Sequence, residues 1–151
     1  MTPLEVRVRA DDRAPARVRA ALNRWFAARN WPDDDAEDLV FAVSEAVSNA
    51  AEHAYQAGES VQRPEPLVVV VVAELIDSDG RRAKAVVNDF GGWRSEPCGD
   101  GTRGRGLAMI RMLMESCVVD RNRAGTSVTM ISRPVPWPGP RSPRGSEAEH
   151  G

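Results

Sequence analysis

The segment SEAVSNAAEHAY, Ser44 to Tyr55, sets Glu45, Asn49 and His53 four residues apart on an alanine-rich helix. At ~100° per residue they form one stripe, bordering an apolar face built from Leu39, Val43, Ala46, Val47, Ala50 and Ala54. Asparagine is a mediocre helix former, so packing alone does not explain Asn49. Its side-chain oxygen suits Mg²⁺, which takes oxygen ligands and keeps several waters. Glu45, one turn earlier, can act as general base toward a hydroxyl or a water. His53 is read two ways, as a structural hydrogen-bonding side chain or as a third member of the site.

Two downstream segments give the stripe something to act on. In NDFGG, Asp89 stands at the tip of a strand beside Gly91 and Gly92. A carboxylate there can accept a hydrogen bond from an exocyclic amine, and glycine lets the backbone approach a flat ring. A plain turn after a strand has the same letters. In GDGTRGRGLAMI, Gly99, Gly101, Gly104 and Gly106 precede a helix, with Arg103 and Arg105 among them. Backbone N–H groups at a helix start, with arginine beside them, suit an anion such as phosphate. The spacing is neither a Walker loop nor a dinucleotide-binding fingerprint. A flexible linker has a similar composition. The letters D-F-G do not indicate a eukaryotic-type protein kinase, since its other motifs are missing.

These residues need a scaffold, and the hydrophobic pattern supplies one. LEVRVRA alternates as a half-exposed strand through Leu4, Val6 and Val8. A helix follows with Val18, Leu22 and Trp25 or Phe26 inward, and Pro15 tolerated early. The helix bearing the stripe is expected from about Ala36 to Gln56, with Asp33 or Asp34 as N-cap. LVVVVVAELI reads as a strand buried on both faces or nearly so. DSDGRR is a hairpin turn with Asp79-Gly80 at its tip, and AKAVVNDF is the return strand. Gly91 to Gly106 reads as loop, LAMIRMLMES as a short helix, and CVVDR and TSVTMIS as two strands joined by NRAG. The expected fold is α+β, a two-layer α/β sandwich: a mixed, mostly antiparallel sheet with helices on one face. Residues 1–133 form the domain. Residues 134–151, rich in proline, glycine and serine, read as a disordered tail.

Composition narrows the class. The 151 residues suit one domain, 42% hydrophobic and 28% charged, with a net charge of −2. That balance, with no basic block interleaved with aromatics, argues against direct nucleic-acid binding and against an anionic membrane. Leu67 to Ile76 is too short to span a bilayer, which takes ~20 residues. The opening MTPLEVRVRADD lacks the apolar core of a signal peptide. Cys98 and Cys117 have no metal-ligand spacing with each other or with His53 and His150, as expected of free thiols in a reducing cytoplasm.

EAVSNAAEHAY, DFGGW, GRGLAMIRML and GTSVTM together resemble the ordered sequence boxes of the GHKL (Bergerat-fold) ATPases, over about Leu4 to Ser132. Within that superfamily they are most similar to the bacterial anti-sigma-factor serine kinases. The resemblance implies ATP and Mg²⁺ as cofactors. Asn49 would ligate the Mg²⁺ bridging the phosphates, and Glu45 would be the catalytic base. Asp89 would bind the adenine amino group, with Gly91 beside the ring. The nucleotide-binding set would also take in His53, Gly101, Arg103, Gly104, Arg105, Gly106 and Leu107, with Gly104 and Gly106 opening a lid over the phosphates. Thr126 would support the Asp89 carboxylate through a hydrogen bond. The implied partners are a sigma factor and a STAS-domain anti-sigma-factor antagonist, in a cytoplasmic homodimer. Phe90 and the Gly92-Trp93 pair depart from the more polar residues often found in that box. One alternative is an ATP-binding regulatory interaction module without phosphotransfer. A sensor histidine kinase's catalytic domain finds less support, because no helices with a phosphoacceptor histidine accompany the motifs.

Overall fold

The computed structural model describes residues 2–57, 67–90, 101–122 and 124–136, without the side chains of 53–57 and 101–105. Eight elements follow in order: β1 (Leu4–Arg9), α1 (Ala14–Ala28), α2 (Asp33–Ala57), β2 (Leu67–Asp77), β3 (Gly80–Asp89), α3 (Gly101–Leu113), β4 (Ser116–Asn122) and β5 (Gly125–Ile131). The strands form one sheet in the order β1-β2-β3-β5-β4. Every described ladder is antiparallel, so the parallel component allowed for in a mixed sheet is not among them.

Period-two alternation gives the sheet an inner face. Val68, Val70 and Val72 of β2, with Ala83, Ala85 and Val87 of β3, are all buried. They pack against Val18, Leu22, Trp25 and Phe26 of α1 and Leu39, Val43 and Val47 of α2 in one core. Both members of the expected Trp25-or-Phe26 choice are therefore buried, and their rings meet edge to face.

Helix α2 begins three residues before the expected start. The Ala36 N–H donates to the Pro32 carbonyl at 3.0 Å, so Asp33, Asp34 and Asp35 form the first turn instead of capping it. Their charges still meet the positive helix end.

Three further boundaries differ from the sequence pattern. The β2–β3 turn has Ser78 and Asp79 between its paired ends, Asp77 and Gly80. Gly80 takes the left-handed φ of 130° that an L side chain rarely adopts, which sets the turn one residue earlier than expected. The loop expected from Gly91 to Gly106 ends early, because α3 already starts at Gly101. Interior glycine disfavours a helix by ~1 kcal/mol each, so composition pointed to loop. Tertiary packing of α3 on α2 overrides it.

The expected domain boundary at Arg133 also falls short. Val135 is 1% exposed, and it exchanges two backbone hydrogen bonds with Arg81 of β3, at 3.0 and 2.8 Å. The described chain is thus attached at Val135, and residues 137–151 of the expected tail lie outside the described residues.

Candidate functional site

The site lies at the end of the sheet where β3 finishes. Register places Val8, Val68, Asp89, Thr126 and Arg121 in one transverse row across all five strands. Directly opposed residues in antiparallel strands share a face, and Val8 and Val68 belong to the core. Asp89 and Thr126 therefore point toward the helices.

Above this row runs α2. A cleft between the layers is lined by Ala46, Asn49 and Ala50 from α2 and Leu107 from α3. From the sheet come Val87, Asp89, Val119, Arg121, Thr126 and Val128. Its walls are mostly alanine, valine and leucine, and its polar groups converge from three strands and one helix. A site for an aromatic ring with a few orienting polar contacts has this make-up.

Asp89 and Thr126 are joined, though not by the contact expected. The backbone N–H of Thr126 donates to Asp89 Oδ1 at 3.4 Å. The Thr126 hydroxyl is buried and has no hydrogen-bond partner among the described residues. A buried polar group left unsatisfied is costly, so this oxygen is available to a ligand that enters the cleft.

At the other side of the cleft, Glu45 and Asn49 are half-buried on successive turns of α2. Gly106 of α3 lies against both. A Cβ built on Gly106 would stand 3.3 Å from Asn49 Nδ2 and 3.6 Å from Glu45 Oε2. A side chain on Gly106 would press on Asn49 by a few tenths of an ångström, so glycine lets the two helices meet here without displacing it. The structure thus brings together Glu45, Asn49, Asp89, Gly106, Leu107 and Thr126 from the sequence set. Gly101, Arg103, Gly104 and Arg105 fall in the first turns of α3, where no side chain is described. The His53 side chain and all of Gly91 lie outside the described residues.

Arg121 and Val119 of β4 were missed by motif reading. The signal was available: NRAG as a tight turn pairs Asn122 with Gly125, and counting back puts Arg121 opposite Thr126. The inward side of the stripe-bearing helix also does double duty, since Ala46 and Ala50 both pack in the core and line the cleft.

An antiparallel sheet under helices, with a helix-borne Glu–Asn pair at one end facing a strand-tip aspartate, defines the class as a histidine kinase-like ATPase. The model of that family, the histidine kinase-like ATPase domain, matches residues 8–132, and the chain belongs to it. The chain is 32% identical over 88 residues to the serine-protein kinase RsbW of Staphylococcus aureus, covering 58% of this chain and 50% of that one. It thus spans about half the length of the curated relatives it matches. Its fold is similar to the crystal structure of the RsbU and RsbW domains of Rv1364c from Mycobacterium tuberculosis, with a TM-score of 0.66 and 30% identity. That match covers 91% of this chain and 34% of the other. The histidine kinase domain of the Erythrobacter litoralis EL346 blue-light-activated histidine kinase shares the fold at a TM-score of 0.50 and 22% identity. It covers 76% of this chain and 60% of that one. Among the described residues, no helix is long and apolar enough to cross a membrane.

Proposed function

We propose that the chain is an ATP-dependent protein serine kinase and anti-sigma factor of a partner-switching pathway. In this reading it phosphorylates a serine of a STAS-domain antagonist and otherwise sequesters a sigma factor, working as a cytoplasmic homodimer. The observation that carries the proposal is the approach of Gly106 to both Glu45 and Asn49. It sets a carboxylate and an amide side chain against the second turn of α3, next to the helix start, where a polyphosphate has backbone N–H groups to meet.

The residues present fit Mg-ATP. Asp89, at the strand tip, accepts from the adenine amino group, and the unsatisfied Thr126 hydroxyl lies beside it. Apolar walls from Val87, Val128 and Leu107 enclose the ring. Asn49 would offer one oxygen to Mg²⁺, and the ion, when bound, would supply positive charge to the phosphates.

In the transfer, the serine oxygen forms a bond to the γ-phosphorus and the bond from that phosphorus to the β-bridging oxygen breaks, releasing ADP. The hydroxyl proton passes to Glu45. Positioning and electrostatics do most of the work in such reactions. The test is single-turnover transfer from labelled ATP to a set of candidate STAS proteins. Glu45→Ala is expected to keep ATP affinity within a few fold and to lower transfer by roughly 10²–10⁴, the usual worth of a general base. A wild-type chain that binds ATP but phosphorylates no antagonist would leave the interaction-module reading in its place.

A further inference from the structure

One wall of the cleft takes no part in the transfer to serine. Of the described residues lining the cleft, two are charged: Asp89 at the end of β3 and Arg121 near the end of β4. Thr126 of β5 stands between them, opposed to Asp89 on one side and to Arg121 on the other. Opposed residues share a face, so all three rise from the sheet on the helix side. Two strand spacings, roughly 10 Å, separate Asp89 from Arg121. That interval is wide enough for the edge of a purine ring, and the buried Thr126 hydroxyl without a described partner belongs to it.

Arg121 breaks the pattern of its own strand. The inward positions of β4 run Cys117, Val119, Arg121, because register sets them opposite Met130, Val128 and Thr126. Cys117 packs against the core and Val119 lines the cleft. A strand that only covered the helices would keep an apolar residue at the third inward position. β4 is an edge strand, and a charge there discourages pairing with another chain. Asp120, on the opposite face, serves that purpose without entering the cleft. Arg121 is exposed and yet lines the cleft, which sets it at the mouth. A guanidinium only donates hydrogen bonds and stays charged, whereas an ionised carboxylate only accepts them. The row therefore offers an acceptor at Asp89, a hydroxyl that can do either at Thr126, and a donor at Arg121.

We propose that Arg121 is a second base-reading residue of this cleft, donating a hydrogen bond to an acceptor nitrogen of the adenine ring while Asp89 accepts from the amine. The proposal rests on the reading of the cleft as an ATP site. Adenine presents one exocyclic donor and ring nitrogens that accept, so an acceptor and a donor at the two ends of one row suit it. A guanidinium alone would favour guanine, whose O6 and N7 both accept. Asp89 opposes that choice, because a carboxylate repels O6. Preference for adenine is then a property of the pair. The polyphosphate is the poorer target for Arg121. It is drawn to the start of α3, beside Glu45 and Asn49, whereas Arg121 shares its wall with Val119 and Val128.

The test is equilibrium binding of the full chain in Mg²⁺, with no transfer step, so it does not depend on kinase activity. Unlabelled nucleotides displace a ribose-labelled ATP analogue from the wild type and from Arg121→Met. The competitors are ATP and its 1-deaza, 3-deaza and 7-deaza analogues, each with one ring nitrogen replaced by C–H. Arg121→Met is expected to bind ATP about tenfold more weakly, the scale of one hydrogen bond to a charged group. One deaza analogue should bind the wild type about tenfold more weakly than ATP, and bind the variant as well as ATP does. An ATP affinity unchanged in Arg121→Met overturns the proposal and leaves Arg121 as an edge charge. So does a loss by the same factor for ATP and all three analogues, which puts the guanidinium on the ribose or the phosphates. A wild type that binds no adenine nucleotide overturns the ATP reading of the cleft, and this proposal with it. If Arg121→Met fails to fold, Arg121→Val is read the same way. Three analogues that bind the wild type as tightly as ATP overturn the proposal without any variant.

Discussion

Gly106 of α3 faces Asn49 of α2 so closely that a Cβ on the glycine would stand 3.3 Å from the amide nitrogen. That separation is tighter than an ordinary van der Waals contact and sets a conflict between stability and binding. Gly106 sits inside a helix, where alanine is better by ~1 kcal/mol. Gly106→Ala should therefore hold or raise the melting temperature. The same methyl group displaces Asn49, so affinity for a fluorescent ATP analogue in Mg²⁺ should fall about tenfold or more, a cost of ~1.4 kcal/mol. A variant that gains stability and binds nucleotide normally would remove the α2–α3 contact from the site.

Thr126 offers a second separation of fold from function. Its hydroxyl is buried without a partner among the described residues. Replacing such a group by an apolar one of the same shape is nearly neutral or stabilising. Thr126→Val should leave the urea midpoint unchanged or higher, while nucleotide affinity falls by the ~0.5–1.5 kcal/mol of a single hydrogen bond. Loss of stability with unchanged affinity would mean the hydroxyl serves the fold.

Asp89→Asn probes the other half of that pair. An asparagine oxygen can still accept from the Thr126 N–H, as Asp89 Oδ1 does at 3.4 Å, so the strand end should persist. ATP binding should weaken by about 1–3 kcal/mol, the scale for hydrogen bonds to charged groups. Preference for ATP over GTP should narrow, since guanine lacks the amine at that position. Competition titrations with both nucleotides measure the two effects; an intact preference would put the adenine pocket elsewhere.

These sites were legible to different degrees, for physical reasons. Periodicity exposed the strands and the stripe of Glu45 and Asn49 because a helix with one buried side repeats its pattern through the sequence. The hairpins β2–β3 and β4–β5 were legible because their turns are local. The start of α3 was not. The cost of interior glycine is visible in the sequence, while the packing of Gly106 on α2 that outweighs it is tertiary. Val135 was hidden for the same reason: one valine among prolines carries no pattern, and its burial depends on an open edge of backbone at Arg81.

Asp35 gives a pH dependence with a defined sign. Burial, then Asp38 and Asp34, raise its carboxyl above the ordinary value of 3.8. The folded state then holds this proton more tightly than the unfolded chain, so Asp35 makes stability fall as pH rises from 3.8 through the raised value. Asp35→Asn should flatten that part of the stability–pH curve. The variant also gives up a favourable contact with the helix dipole, so the slope is the readout and the height is not. Parallel curves for the two proteins would show that Asp35 titrates normally.

Val135 makes the last prediction, and it concerns where the folded unit ends. Arg81 N–H donates to the Val135 carbonyl and Val135 N–H returns to the Arg81 carbonyl. The same carbonyl oxygen would clash with a Cβ at Gly80, so the segment packs on the hairpin as well as on β3. A chain ending at Arg133 loses both hydrogen bonds and a buried valine side chain, worth ~1.5–3 kcal/mol by burial alone. It also uncovers Arg81, whose guanidinium is buried with Glu74 at 3.5 Å and donates to the carbonyls of Arg29 and Asn30. Its urea midpoint should drop clearly, while a chain ending at Pro136 should match the full protein. Val135→Ala should fall between the two, because it keeps the backbone pairing and loses only side-chain burial. ATP affinity, measured well below each midpoint, should be the same in all of them, since Arg81 lies at the opposite end of β3 from Asp89. Equal midpoints for the chains ending at 133 and 136 would show that the pairing with Arg81 contributes nothing.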